Sequence, residues 1–322
     1  MVVSGFLGRW VVTGANRRPP VFYSAVPFLQ PILQGWGGKG PGCKDGEVTF
    51  DSGPRPQRSS GLTEFILAPN PGPMSLDGTN SYLLQTPGHS SLVVVDPGPL
   101  DETHLNALAG AGVVELILVT HRHADHTAGA ARLHELTGAP VRAADPSHCH
   151  GGGEPLVHGE AIRAAGLEIA VLATPGHTSD SVCFHLAADG DHGSVLTGDT
   201  VLGRGTTVLD YPDGTLGDYL ASLDRLKALG PATVLPAHGP VLPSLEAIAR
   251  DYRMHREERL AQIRAALDRL GQDAFVGEVA DAVYSDVGPS VRRAAELSVA
   301  AQLEYLRGGG NPDRSGRGET VG

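Results

Sequence analysis

Residues 120–126 read THRHADH, three histidines and an aspartate directly behind the apolar run VVELILV. His121 and His123 are two apart, so in extended chain their side chains point the same way, while Asp125 and His126 fall where a following helix begins. Zinc takes imidazole and carboxylate ligands, and H-x-H-x-D-H supplies enough of them for two distinct sites from one strand-to-helix turn. Three later stretches repeat the pattern, each a short apolar run and a turn presenting one ligand: VLATPGHTSD gives His177, SVLTGDTVLG gives Asp199 and TVLPAHGP gives His238. In a layered α/β fold, turns at the same end of consecutive strands gather in one cleft. Two metal ions about 3.5–4 Å apart activate a bridging water near neutral pH and stabilise charge on attacking and leaving oxygens, so the expected chemistry is hydrolysis.

Positioning these ligands falls to short β-like runs bounded by turn residues: LTEFILA, NSYLLQ, SLVVVD, VELILVT, LEIAVLA, SVCFHLA, SVLTG and ATVLPA. Helical periods lie between several of them, as in ADHTAGAARLHELTG and LGDYLASLDRLKALG, the latter closing on a glycine cap. Alternating strands and helices predict an α/β layered architecture, and runs apolar on both faces suit sheets covered by helices. After PAHGPVL the pattern becomes helical, predicting three helices in a small separate module. The expected organisation is an irregular extension over 1–60, a catalytic domain over 61–243, a helical module over 244–307 and a disordered tail over 308–322.

Composition narrows the function. The chain has 322 residues and a net charge of −11, with nine basic against 21 acidic side chains in residues 51–240. A domain this acidic repels polyanions, so strong binding to duplex nucleic acid is not expected. No apolar run is long enough to span a bilayer, and no membrane partner is expected. Three cysteines (Cys43, Cys149, Cys183), odd in number and far apart, give no disulfide framework and fit a reducing cytoplasm. Cys183, inside SVCFHLA, reads as a core residue. Fourteen histidines are many for this composition. Those of SHCHGGGEPLVHG (His148, His150, His158) lack strand-end placement and read as a surface loop.

Taken together, HRHADH, PGH, GDT and AHG resemble the metallo-β-lactamase superfamily over about residues 62–240. The resemblance implies an αββα sandwich and two zinc ions per chain, the first on His121, His123 and His177, the second on Asp125, His126 and His238, with Asp199 bridging them. In that reading a metal-bridging hydroxide attacks the substrate, Asp125 orients it, and Asp125 and Asp199 are the catalytic carboxylates. GTNSYLL and VVVDPG are also similar to the family and place Asp96 behind the ligands, with Thr120 and Thr178 as further candidates to hold the second ring nitrogens.

The helical C-terminus resembles the winged-helix appendix of lactamase-beta-like endoribonucleases, mainly through its helical period and HRE. The leading expectation is therefore a phosphodiester substrate, single-stranded RNA, with Arg204 as a candidate phosphate contact. Arg250, Arg253, Arg256 and Arg259 are read as either a phosphate guide or a solvated helix face. An ester, thioester or lactam hydrolase of the glyoxalase II or β-lactamase type is the alternative. A DNA-binding regulator with a zinc sensor is a third, weaker reading, and self-association is compatible with the sequence.

Overall fold

The computed structural model describes residues 54–285, 288 and 291–308; most of the expected extension, and the tail from residue 309, lie outside the described residues. Strands β1 (Gln57–Arg58), β2 (Thr63–Leu67), β3 (Asn80–Leu84), β4 (Ser91–Val95), β5 (Val113–Leu118) and β6 (Val141–Arg142) form one sheet in that order. A second sheet has the order β11-β10-β9-β8-β7, built from β7 (Ala161–Ala164), β8 (Leu167–Ala173), β9 (Val182–Leu186), β10 (Ser194–Gly198) and β11 (Thr233–Pro236). Both sheets are mixed: β4, β5 and β6 run parallel, as do β10 and β11, while the remaining neighbours are antiparallel.

The period of two along each strand makes the layers. Tyr82, Leu84, Val93, Val95 and Leu118 of the first sheet pack against Ile169, Val171, Phe184 and Leu196 of the second. Their sequence neighbours point outward. Leu83, Val94 and Ile117 meet Leu105 of helix α1 (Glu102–Gly110) and Leu133 of α3 (Ala130–Thr137). Cys183, Val195 and Val234 meet α4 (Leu216–Lys227) and α5 (Leu245–Leu270). The result is the expected αββα sandwich, with Cys183 fully buried.

Three features differ from the sequence expectation. Strand β1 lies inside the stretch read as irregular and pairs with the expected β2, and β6 and β7 were not expected as strands. The single helix read in ADHTAGAARLHELTG is two, α2 (Ala124–Thr127) and α3. Gly129 separates them, placed where a Cβ would lie 2.7 Å from Leu105 and 3.0 Å from the Pro99 carbonyl oxygen.

The third difference concerns the C-terminus. Helices α5, α6 (Val276–Val283) and α7 (Arg292–Arg307) share a small core through Ile263, Val279 and Val299. They are not a separate module, because Leu245, Ala249, Tyr252 and Leu260 of α5 belong to the core that covers the second sheet. Among the described residues 245–308 there is no strand that could form a wing.

At one end of the sandwich the sheets are laced together. The Val182 amide donates to the Thr120 carbonyl at 2.8 Å, the Asn80 amide to the Ala237 carbonyl at 2.7 Å, and the Tyr82 hydroxyl to the Pro236 carbonyl at 2.9 Å. Gly198 ends β10 at φ 49°, where a Cβ would stand 2.8 Å from the Thr120 side chain, so glycine is required there.

Each buried apolar side chain of α5 contributes about 1.5–3 kcal/mol when fully covered. Truncation after residue 243 is therefore expected to cost more than about 3 kcal/mol in urea unfolding. Unchanged stability would mean that the helices do stand apart.

Candidate metal centre

The seven residues anticipated from the sequence sit at the laced end, five of them just beyond a strand. His121 and His123 follow β5, His177 follows β8, Asp199 follows β10 and His238 follows β11. Asp125 and His126 lie in the first turn of α2. The PGH turn is possible because Gly176, at φ 137°, passes so close to the Tyr219 backbone that a Cβ would approach it to 2.4 Å.

Seven side chains converge in two groups. In the first, Nδ1 of His123 is 3.0 Å from Nε2 of His121 and 3.0 Å from Nε2 of His177. In the second, Nε2 of His238 is 3.3 Å from Asp125 Oδ2, and Nε2 of His126 is 3.7 Å from the same oxygen. Asp199 stands between them. Its Oδ1 lies 3.3 Å from His238 Nε2 and 3.6 Å from His126 Nε2, and its Oδ2 lies 3.7 Å from His177 Nε2.

The far nitrogen of each ring decides what the near one can do. His177 Nδ1 donates to the Val208 carbonyl at 2.6 Å, and His238 Nδ1 to the Gly78 carbonyl at 3.0 Å. His126 Nδ1 donates to Asp96 Oδ2 at 2.9 Å, and His123 Nε2 to Asp210 Oδ2 at 3.2 Å. The Thr120 hydroxyl donates to Asp96 Oδ2 at 2.7 Å, so its oxygen accepts from His121 Nδ1 at 3.1 Å. With those bonds made outward, each ring in its neutral form turns a lone pair inward.

Five converging lone pairs and two carboxylates repel one another unless a cation lies among them. His126 Nε2, His238 Nε2 and Asp199 Oδ1 are buried with no hydrogen-bond partner, a costly state that bound metal would relieve. The donor set fits two dications: His121, His123 and His177 for one, Asp125, His126 and His238 for the other, and Asp199 between.

The electrostatics carry the same message. Burial, and then the charges of His126, His177, His123 and His238, hold His121 well below the usual imidazole range. Burial also lowers His177, against the pull of Asp199. For His126 burial is outweighed by Asp96, Asp199 and Asp125, which push it up to about 10. His238 is likewise raised, as Asp199 and Asp125 overcome its burial. Asp125 falls below the usual carboxylate range despite its burial, held down by His238 and His126. The carboxylates thus call for positive charge, which a dication supplies when it displaces protons.

His121, His126, His177 and His238 are buried, whereas the side chains of His123 and Asp125 remain about a third exposed, at 33% and 32%. The rim holds Arg122 paired with Asp210 and, at 3.2 Å, Asp213, and Arg204 paired with Asp77 at 3.0 Å. Arg204 is therefore already engaged by a carboxylate.

Of the three supports expected behind the ligands, Asp96 and Thr120 are in place, but Thr178 bonds the Ser181 hydroxyl at 2.7 Å instead of a histidine. Asp210 and the carbonyls of Val208 and Gly78 were not anticipated. A carbonyl leaves no mark in residue type, and Asp210 is 87 positions from His123. Among the described residues, His148, His150 and His158 belong to no converging ligand group, and His158 accepts from the Ala173 amide at 3.2 Å. In the arginine series, Arg250 pairs with Asp251, Arg253 with Asp224 and Glu257, and Arg259 with the Gln262 side chain, while Arg256 is buried. The series is neither a free phosphate guide nor a uniformly solvated face.

Comparison with known proteins identifies the family. The family model described as the metallo-beta-lactamase superfamily matches residues 74–238. The chain is 35% identical over 251 residues to the lactamase-like protein adaB of Aspergillus niger, covering 76% of this chain and 74% of that one. It is 33% identical over 258 residues to the lactamase-like protein vrtG of Penicillium aethiopicum, covering 74% and 78%. Among solved structures, a metallo-beta-lactamase family protein from Thermus thermophilus superposes with a TM-score of 0.63 at 24% identity, covering 77% of this chain and 94% of that one. A beta-lactamase domain protein from Burkholderia ambifaria gives 0.66 at 22% identity, covering 80% and 92%. These two show a common fold.

Asp96 gathers the Thr120 amide at 2.8 Å, the Thr120 hydroxyl and His126, and so braces a ligand of each group. Asp96→Ala is expected to weaken zinc binding about 10–100-fold in competition with a chelator, the usual cost of losing such a partner. Wild-type affinity in that variant would show that the ligands hold themselves.

Proposed function

The chain belongs to the metallo-beta-lactamase superfamily and is a metal-dependent hydrolase, and from that premise we propose that it uses two zinc ions to cleave a carbonyl substrate, an ester or thioester. Five imidazoles and two carboxylates are a donor set that zinc accepts. When bound, the pair of dications provides a nucleophile from water near neutral pH and offsets charge on the departing oxygen or sulfur.

The chain's own residues supply the geometry. Asp199, with one oxygen toward each group, fixes the spacing of the two sites. Asp125 is the carboxylate on the open side, placed to orient the attacking water and hold its proton. Asp96, Asp210 and the Val208 and Gly78 carbonyls keep the rings aimed inward, so little reorganisation is needed as the reaction proceeds.

The observation that supports this substrate class is the state of the arginines at the mouth. A polyanion is held by cations free to replace its counterions. Here Arg122 faces two aspartates and Arg204 faces one, so the described rim offers no net positive charge. This tilts the reading from the RNA phosphodiester, suggested by the C-terminal helices, to a carbonyl substrate that needs no such capture.

The test is a panel on zinc-loaded protein: a chromogenic thioester, a nitrophenyl ester, a chromogenic β-lactam, bis-nitrophenyl phosphate and an unstructured RNA. A carbonyl substrate is expected to exceed the phosphodiester in kcat/KM by at least about 10-fold, equivalent to about 1.4 kcal/mol, with RNA left intact. Asp199→Ala is expected to lose that activity. RNA cleavage that vanishes in Asp199→Ala, without carbonyl turnover, would restore the phosphodiester reading.

A further inference from the structure

Between β10 and α4 the chain runs from Asp199 to Thr215 without helix or strand. This segment carries the bridging carboxylate at its start, the Val208 carbonyl that orients His177, and Asp210 that orients His123. Its backbone polar groups have no ladder to join and must find other partners.

Four of those bonds come from one helix. We propose that Arg256 and Tyr252 of α5 are positioning residues for the metal centre, holding segment 199–208 so that Asp199 and His177 keep their places. Tyr252 and Arg256 are four residues apart, hence neighbours on one face of the helix. The Tyr252 hydroxyl accepts from the Leu202 amide at 3.0 Å and lies within donating distance of the carbonyls of Gly205, at 3.0 Å, and Leu202, at 3.1 Å. The Arg256 guanidinium donates to the Thr207 carbonyl.

From Thr207 two short paths lead to the ligands. Its hydroxyl donates to the Asp199 carbonyl at 2.5 Å, and its next residue is Val208, whose carbonyl takes the His177 proton. Arg256 also lies 4.9 Å over the ring of Tyr219, whose hydroxyl donates to the Thr200 carbonyl at 2.7 Å. Carbonyls at 199, 200 and 207 therefore each receive a side-chain donor from this one cluster, and Tyr252 serves the 202–205 stretch between them.

A purely stabilising role does not account for a guanidinium at this place. Arg256 is 2% exposed, and its Nε has no partner. Burying a cation is commonly no better for stability than an apolar side chain of similar volume. What an apolar side chain lacks is the directed donor to Thr207.

The inference rests on the two-metal reading, and one experiment separates the two. Zinc affinity is measured by chelator competition, and the visible absorption of the cobalt-substituted protein is recorded, for wild type, Arg256→Met, Tyr252→Phe and Ile263→Ala. Ile263 lies on α5 but in the small core shared with α6 and α7, so its truncation loosens the helix without touching the segment. Arg256→Met is expected to weaken zinc binding about 10-fold, to alter the cobalt spectrum and to lower kcat more than it changes KM, the signature of disturbed orienting partners. Tyr252→Phe, which keeps the ring and its packing, is expected to move the same quantities by a smaller factor. Ile263→Ala is expected to lower the melting temperature with affinity and spectrum at wild-type values. Wild-type affinity and spectrum in Tyr252→Phe and in folded Arg256→Met would overturn the inference, as would an Ile263→Ala change as large as theirs. Wild-type protein that takes up no metal pair would overturn the two-metal reading itself, and this inference with it.

Discussion

The structure turns on one constraint: five imidazoles must be held with their lone pairs facing each other inside a buried pocket. Left alone, such an arrangement is repulsive. It persists because each ring is fixed from behind, by Asp96, Asp210, the Thr120 hydroxyl and two main-chain carbonyls. The stabilisation lost at the front is returned when cations occupy the centre, so metal binding and the shape of the site are two aspects of one balance.

Much of the fold follows from meeting that constraint. A carbonyl such as Val208 or Gly78 orients a ring only if the backbone bearing it cannot drift. Gly78 lies just before β3, and the isolated bridge between Thr79 and His238 joins it to the end of β11. Val208 lies in a segment without regular structure and depends on helix α5. The C-terminal helices thus have a structural reason to be where they are, one that needs no nucleic acid.

What the sequence reveals depends on how a residue acts. The seven candidate ligands are legible because their segments follow apolar runs and turns, and because His and Asp are chemically distinctive. Strands β2–β5 and β8–β11 are legible because a sandwich covered on both sides makes both faces apolar. Strands β1 and β6 have two residues each, too few to show a period. Helix α1 buries only His104, Leu105 and Leu108, a stripe too narrow to stand out. The arginines at 250, 253, 256 and 259 look like one face, yet a step of three residues turns back by about 60° on a helix of 3.6 residues per turn. Such a series cannot stay in solvent throughout, and Arg256 enters the core. The carbonyl supports are illegible in principle, since every residue type provides one.

In the two-metal reading Asp199 joins two metal ions in one site. X-ray absorption at the zinc edge, on protein loaded with two equivalents, tests it most directly. Nitrogen and oxygen neighbours at about 2.0–2.2 Å and a zinc–zinc scattering path at about 3.5–4 Å are expected. A single zinc surrounded by light atoms alone, with the second equivalent remaining in solution, would contradict it.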